Sequence, residues 1–190
     1  SLAKELGVTF KTNANVEKLN VVKNSVESIV VNGASHKNAD VVLSGVDYHH
    51  TETLLDGQYR QYSESYWNKK TFAPSSLLFY VGFNKKLNNV SHHTLFFDEE
   101  FDSHAEYIYD TPSWPKDPLF YASFPSISDN AFAPKEKEAA TFLIPIASGI
   151  EDTEAHREKY FDLIIDRLEK LTHQKLKDDV LFVKSYCIND

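Results

Sequence analysis

The run Leu77-Leu78-Phe79-Tyr80-Val81-Gly82-Phe83 constrains this chain more than any other stretch. Side chains on a strand alternate, so Leu77, Phe79, Val81 and Phe83 share one face and Leu78, Tyr80 and Gly82 the other. Both faces are apolar or aromatic. That pattern fits a strand buried on both sides, or one whose second face lines an apolar cavity. Gly82 points toward close approach of a ligand or another backbone, the usual reason for glycine inside a strand. A polar excursion, Asn84 to Ser91, leads to a second aromatic run, His93-Thr94-Leu95-Phe96-Phe97.

A length of 190 residues, with 42% hydrophobic and 13% aromatic content, suits one folded domain or part of a larger protein. The net charge of -8 excludes nucleic acid as a partner, because phosphate neutralisation needs clustered Lys and Arg. It equally gives no support for polybasic attachment to an anionic membrane. Cys187 is the single cysteine, which rules out a disulfide framework within the chain and fits a cytoplasmic setting. No apolar run reaches the ~20 residues that span a bilayer.

In chain order, Ser1 to Gly7 reads as the last turns of a helix closing on glycine, and Val180 to Tyr186 as a final strand, which together suggest a piece of a longer chain. Strands are expected at Val8–Lys11, Val16–Val22, Val26–Val31 and Ala34–Asn38, with Asn32-Gly33 as a hairpin turn. Val41-Val42-Leu43-Ser44 reads as a short buried strand ending at Gly45. Asp47 is placed to cap a helix beginning at Tyr48. Helical character follows around Tyr62, Tyr66 and Trp67, and again within Glu99 to Tyr109. Pro112, Pro115 and Pro118 impose irregular chain. Strands are expected at Leu119–Phe124 and Ala140–Ile146, the latter at an edge or with a break in pairing at Pro145. Phe161, Ile164, Ile165, Leu168 and Leu171 recur at helical spacing after an N-cap at Asp152 or Thr153, with Arg157, Glu158, Asp162, Asp166 and Glu169 on the remaining surface. Strands with inserted helices make the fold class α+β, a mixed sheet with flanking helices.

Few residues carry recognisable chemistry. The pairs His49-His50 and His92-His93 chelate poorly, since neighbours on a strand point to opposite faces, and no metal is assigned. They read as polar surface or ligand-pocket histidines. No GxSxG or GxGxxG occurs, and Cys187 reads as an inert packed thiol. The acidic run Asp98 to Asp102 lacks a calcium loop's spacing and reads as a solvated turn. The aromatic density from Tyr48 to Phe124 admits two readings, core packing or an apolar ligand tunnel.

Four segments in register carry a resemblance. LAKELGVTFKTNANVEKL, NADVVLSGVDYHHTETLL, APSSLLFYVGF with HHTLFFDEEF, and DPLFYASFPSISDNAFAP with ATFLIPIAS together resemble the phytoene desaturases, the bacterial-type carotenoid desaturases among the FAD-dependent oxidoreductases. The resemblance implies a substrate-binding portion, residues 48–190, preceded by residues 1–47 at the boundary with a flavin domain. It implies FAD in the full-length protein, with Val16, Ser44, Gly45 and Asp47 near the cofactor, and no assignable catalytic acid or base. The implied substrate is a long apolar polyene, and the implied setting is cytoplasmic and peripheral to a membrane. One face of the Leu77–Phe83 strand then packs on a helix while the other lines a polyene tunnel. Tyr48, Leu78, Phe79, Tyr80, Gly82 and Phe96 are the candidate tunnel residues, drawn from both faces because the pattern does not choose between them. A desaturase-like isomerase, saturase or oxidase shares these motifs, and a domain binding an apolar ligand or a protein without redox chemistry is the alternative of another class.

Overall fold

The computed structural model describes residues 2–37 and 40–190. Contacts divide the chain into two compact units, residues 1–70 and 71–190.

The first unit is built on an antiparallel meander of β1 (Val16–Val22), β2 (Ser25–Val31) and β3 (Ala34–Lys37). Both of its turns place two consecutive residues at left-handed φ, Lys23 and Asn24 at 50° and 62°, then Asn32 and Gly33 at 49° and 77°. That is the backbone a tight hairpin demands. Asn32 also pins the link before β1: its carboxamide accepts from Asn15 N–H at 3.0 Å and donates to the Asn13 carbonyl at 2.8 Å. Ahead of the meander, α1 (Leu2–Glu5) ends at Gly7, whose N–H donates to Lys4. Asp47 caps α2 (Tyr48–Thr53) by accepting from His50 N–H, and the Leu19 N–H donates to the Leu54 carbonyl, tying the end of that helix to β1.

Two expected strands do not form. Residues 8–11 and 41–44 have no ladder partner among the described residues, and Val41 and Leu43 are 80% and 93% exposed. Their β-branched and apolar side chains favour extended backbone, but a strand exists only where a neighbour accepts its hydrogen bonds. Asn38, expected to end β3, lies outside the described residues.

Beyond α2, a short α3 (Glu64–Trp67) starts at Ser63, whose hydroxyl accepts from Tyr66 N–H. The intervening loop is organised by Glu52, which is buried. Burial alone would raise its carboxyl, yet the Trp67 indole N–H at 2.9 Å, the backbone N–H groups of Gln61 and Tyr62, and nearby Arg60 hold it below the usual carboxylate range.

The second unit is a five-stranded sheet in the order β5-β6-β7-β4-β8. Its strands are β4 (Ser75–Phe83), β5 (His93–Phe96), β6 (Phe120–Ser123), β7 (Glu138–Ile146) and β8 (Val180–Tyr186). The class is α+β, and every described pairing is antiparallel, so the sheet is simpler than the mixed one expected. Leu77, Phe79, Val81 and Phe83 are buried together with Phe142, Ile144, and Tyr160, Ile164, Ile165 and Leu168 of α5 (Glu154–Thr172). Pro145 does not mark an edge, because β7 is central; instead the β6 ladder stops at Leu143, before the proline. A nine-residue helix, α4 (Phe101–Tyr109), precedes the proline-rich segment.

Two residues expected on the free surface of α5 are tied down. Arg157 pairs with Asp152 at 2.5 Å and Asp190 at 2.9 Å and donates to the Ser185 hydroxyl at 3.3 Å, joining the helix start to the end of β8. Thr153 rather than Asp152 therefore caps the helix. Glu169 accepts from the N–H groups of Leu176 and Lys177 and holds the turn into β8. Glu138 is the counter-example: it is buried, neither carboxylate oxygen has a hydrogen-bond partner among the described residues, and the Lys86 ammonium stands 3.8 Å away. Burial pushes its carboxyl up.

His104 of α4 is buried between two backbone groups, with Nδ1 accepting from Leu119 N–H at 2.9 Å and Nε2–H donating to the Pro145 carbonyl at 2.8 Å. Those bonds require the neutral ring, and burial depresses its pKa. The unfolded chain then binds more protons than the folded one as pH falls below about 6.5, so stability is lost with acid. The urea midpoint should fall between pH 7.5 and 5, with a smaller fall in His104→Gln. Separately, Asp152→Asn should cost about 1.5 kcal/mol in chemical denaturation, because it strips a half-buried guanidinium of its main charged partner while Asp190 remains.

Candidate functional site

α5 covers one face of the sheet. The other face is the candidate site. Register across the strands places Leu95, Tyr121, Leu143, Leu78 and Tyr186 in one row. The next row is His93, Ser123, Thr141, Tyr80 and Lys184. At the usual strand spacing each row runs about 19 Å across the sheet. Tyr80 is 43% exposed and meets Tyr186 edge-on at 5.8 Å, while the Lys184 ammonium lies 4.9 Å from the Tyr186 ring centre. Toward the β5 edge the face dips into an apolar depression of about 80 Å³ lined by Leu95, Phe97, Leu119, Phe120, Tyr121 and Pro145.

A polar pair sits within this face. His93 Nδ1 is 2.6 Å from the Tyr121 hydroxyl. The His92 ring stacks on His93 at 4.1 Å and is itself bonded to the Ser128 hydroxyl at 2.9 Å. Although adjacent in sequence, the two histidines thus lie ring on ring at the start of β5. Among the described residues no group of three His, Cys, Asp or Glu side chains is arranged to hold a metal. Burial raises the Cys187 thiol.

The expected tunnel residues separate. Leu78, Tyr80 and Gly82 lie on the open face. Phe79 does not: it is buried on the covered face, its ring 5.4 Å from Phe161 of α5. Phe96 is buried on that same face and stacks on Phe120 at 4.3 Å. The closed side of the sheet consumes both rings as core. Tyr48 belongs to the first unit, beside Tyr62 at 6.0 Å and Trp67 at 5.7 Å. The group that approaches Gly82 is the Phe182 ring of the neighbouring strand, which a Cβ at that position would overlap. Tyr121, Leu143, Phe182 and Tyr186 were missed by sequence reasoning, since their place on the face depends on long-range register; alternation within β6 and β7 was the available signal.

The expected cofactor contacts all lie in the first unit. Val16 opens β1 with its side chain partly exposed, and a Cβ at Gly45 would meet nothing within 4 Å. Ser44 bonds Thr51 through their hydroxyls at 2.7 Å, and the Asp47 carboxylate is engaged in capping α2. Val16 is laddered to Val31, Gly45 has open space beside its Cα, and the Asp47 side chain already has a partner.

No family model matches the chain. Its full length is 35% identical to the carotenoid 3,4-desaturase of Haloarcula japonica, covering 38% of that protein. Over 94% of the chain it is 27% identical to the 4,4'-diapolycopen-4-al dehydrogenase of Metabacillus indicus, covering 35% of it. Phytoene desaturases are among the further relatives. The chain is therefore related in sequence to the carotenoid and phytoene desaturases, and spans little more than a third of the length of these first two relatives. An oxidoreductase from Methanosarcina mazei shares the fold, with a TM-score of 0.56 and 13% identity over 92% of this chain and 37% of that one.

The two faces should respond differently to truncation. Phe79→Ala is expected to cost about 3–5 kcal/mol, the range for emptying a core phenylalanine site. Tyr80→Ala should cost about 1 kcal/mol or less, because its ring is already partly in solvent. Urea denaturation of both variants measures the difference, and equal losses would contradict the assignment of faces.

Proposed function

We propose that the chain is the substrate-binding part of a flavin-dependent carotenoid desaturase, with residues 1–47 at the boundary with a flavin domain and residues 48–190 forming the substrate-binding portion. One observation carries the reading: full-length similarity to a protein named a carotenoid 3,4-desaturase coincides with a sheet that has one helix-covered face and one open apolar face. A polyene offers almost nothing to hydrogen-bond, so it is recognised by apolar area and shape. Leu78, Leu95 and Leu143 supply the area, and Tyr80 and Tyr186 supply rigid rings that fix the chain's path. A bound FAD would supply the two-electron oxidant, taking a hydride from an allylic C–H while the adjacent carbon releases a proton to form the new double bond; that organic chemistry is the cofactor's. The protein's part is to orient the reacting carbon and to exclude water. Val16 and the Ser44–Asp47 turn are the contacts proposed for the flavin edge.

A polyene partitions into lipid, which favours a protein working at the cytoplasmic surface of a membrane. No described helix is long and apolar enough to cross one. A second reading, a different oxidation on the same class of polyene, is favoured by the relative named a diapolycopenal dehydrogenase.

The full-length protein carrying this chain should purify with the absorbance of oxidised flavin and should lengthen the conjugated system of phytoene or a related polyene supplied in liposomes. Absence of flavin, or no conversion of phytoene, lycopene or retinol, would sink the proposal. The product formed distinguishes desaturation from the second reading. Tyr80→Glu should lower turnover at least about a hundredfold, since a carboxylate on the apolar face must be desolvated when substrate binds.

A further inference from the structure

We infer that His104 is a proton-operated latch: its neutral ring ties α4 to the ends of β6 and β7, and protonation opens that corner and exposes the apolar depression beside it. The break that the ring fills is set by a proline. The β6–β7 register pairs Tyr121 with Leu143 and Ser123 with Thr141, so its continuation sets Leu119 opposite Pro145. Pro145 has no N–H to return a bond, and the ladder stops. The His104 imidazole spans the gap, accepting from the Leu119 N–H on Nδ1 and donating through Nε2–H to the Pro145 carbonyl. A side chain of α4 thus stands where a backbone bond between the two strands would be. Leu119 and Pro145 are also two walls of the depression of about 80 Å³, and α4 reaches a third, because the Phe101 ring lies 6.5 Å from Phe97. Nothing in the latch depends on what the open face binds.

The bonds work with one protonation state. An imidazolium is a donor at both nitrogens, so its Nδ1–H would confront the Leu119 N–H and leave two buried donors without an acceptor. The ring is 4% exposed, so solvent does not take over the lost bond while the latch is closed. Of the nine residues of α4, His104 alone is buried, which makes the ring the helix's chief anchor. His104 also lines a polar cavity of about 250 Å³. The titratable and charged groups there are Glu99, Glu100 and Tyr107, from α4 and the turn before it, and Lys116 and Asp117 of the proline-rich segment. Three carboxylates against one ammonium make this the side on which an imidazolium is favoured. What meets the ring from the β6 and β7 side is backbone, the Leu119 N–H and the Pro145 carbonyl. Burial depresses the pKa of the closed ring, whereas an opened ring titrates near the usual value of about 6.5. As pH falls through that value the open form takes up a proton that the closed form refuses. The closed-to-open ratio then drops by up to about tenfold per pH unit until the closed ring itself titrates.

Hydrogen exchange of the full-length protein between pH 7.5 and 5, read residue by residue and corrected for intrinsic rates, tests the latch. Protection of the Leu119 amide and of the α4 amides should fall at least about tenfold, while that of β4 stays level. Labelling of the Leu119 side chain by a small diazirine should rise over the same range, since its 5% exposure belongs to the closed form. His104→Gln keeps a carbonyl acceptor and an amide donor but takes up no proton, so both readouts should then be flat against pH, whatever their level. A flat parent, or the same slope in His104→Gln, would overturn the latch. So would an equal loss of protection in β4, which marks global acid unfolding. A fall in protection with no gain in Leu119 labelling would overturn it too, because the depression then stays closed.

Discussion

Everything in the larger unit depends on α5 lying against β4 and β7. Phe79, Phe142, Ile164 and Leu168 are almost wholly removed from solvent there, each contributing roughly 1.5–3 kcal/mol on transfer-scale reckoning. The contact also decides which side of the sheet is the inside. Because the helix follows β7 and feeds β8, which then adds to β4 on the side away from β7, the covered face is closed by a segment that also completes the sheet. Arg157 fastens that closure: bonded to Asp152 before the helix and to Ser185 and Asp190 at the far end of β8, it holds the two ends of the segment together.

Buried acids show how little residue type says about local energetics. Glu52 and Glu138 are both nearly inaccessible, and burial disfavours the charge of each. Three N–H donors meet Glu52, so its charge is retained and the loop to Trp67 is ordered around it. Glu138 makes no well-formed hydrogen bond, and the Lys86 ammonium 3.8 Å away together with the nearby N–H groups of Leu87 and Ala139 offsets only part of its desolvation. Donor geometry, not composition, makes one an organising centre and the other a local cost.

The sequence shows these features unevenly, for reasons that are physical. Alternation in Leu77–Phe83 established two faces, but period two carries no sign, and with both faces apolar it could not say which one a helix covers. On that pattern Phe79 is as much a tunnel candidate as Leu78 and Tyr80, and Phe96 is one from the second aromatic run, although both phenylalanines are core. The meander was legible because Asn32-Gly33 and the β-branched runs act locally. Val41–Leu43 has the same local signature and no ladder among the described residues, since pairing is a property of two segments and the signature reports one. Arg157 read as surface because its partners stand at positions 152 and 190, beyond any helical periodicity. Likewise, Tyr121 reaches His93 only through the β5–β6 register.

Separating the faces also separates the consequences of change. A substitution on the covered face alters the packing that holds the sheet, and its cost appears as stability. A substitution in the Leu95–Tyr186 row or the His93–Lys184 row touches groups with solvent on one side, and its cost appears in whatever the face binds. A sheet built this way can change its ligand preference residue by residue without renegotiating its core. The same argument limits what an apolar open face proves: Leu95 or Phe182 alone would suit many occupants. The proposed preference for an elongated ligand would come from order, an apolar row registered beside a polar one across five strands, because only a molecule extended across the strands would meet both rows along their length.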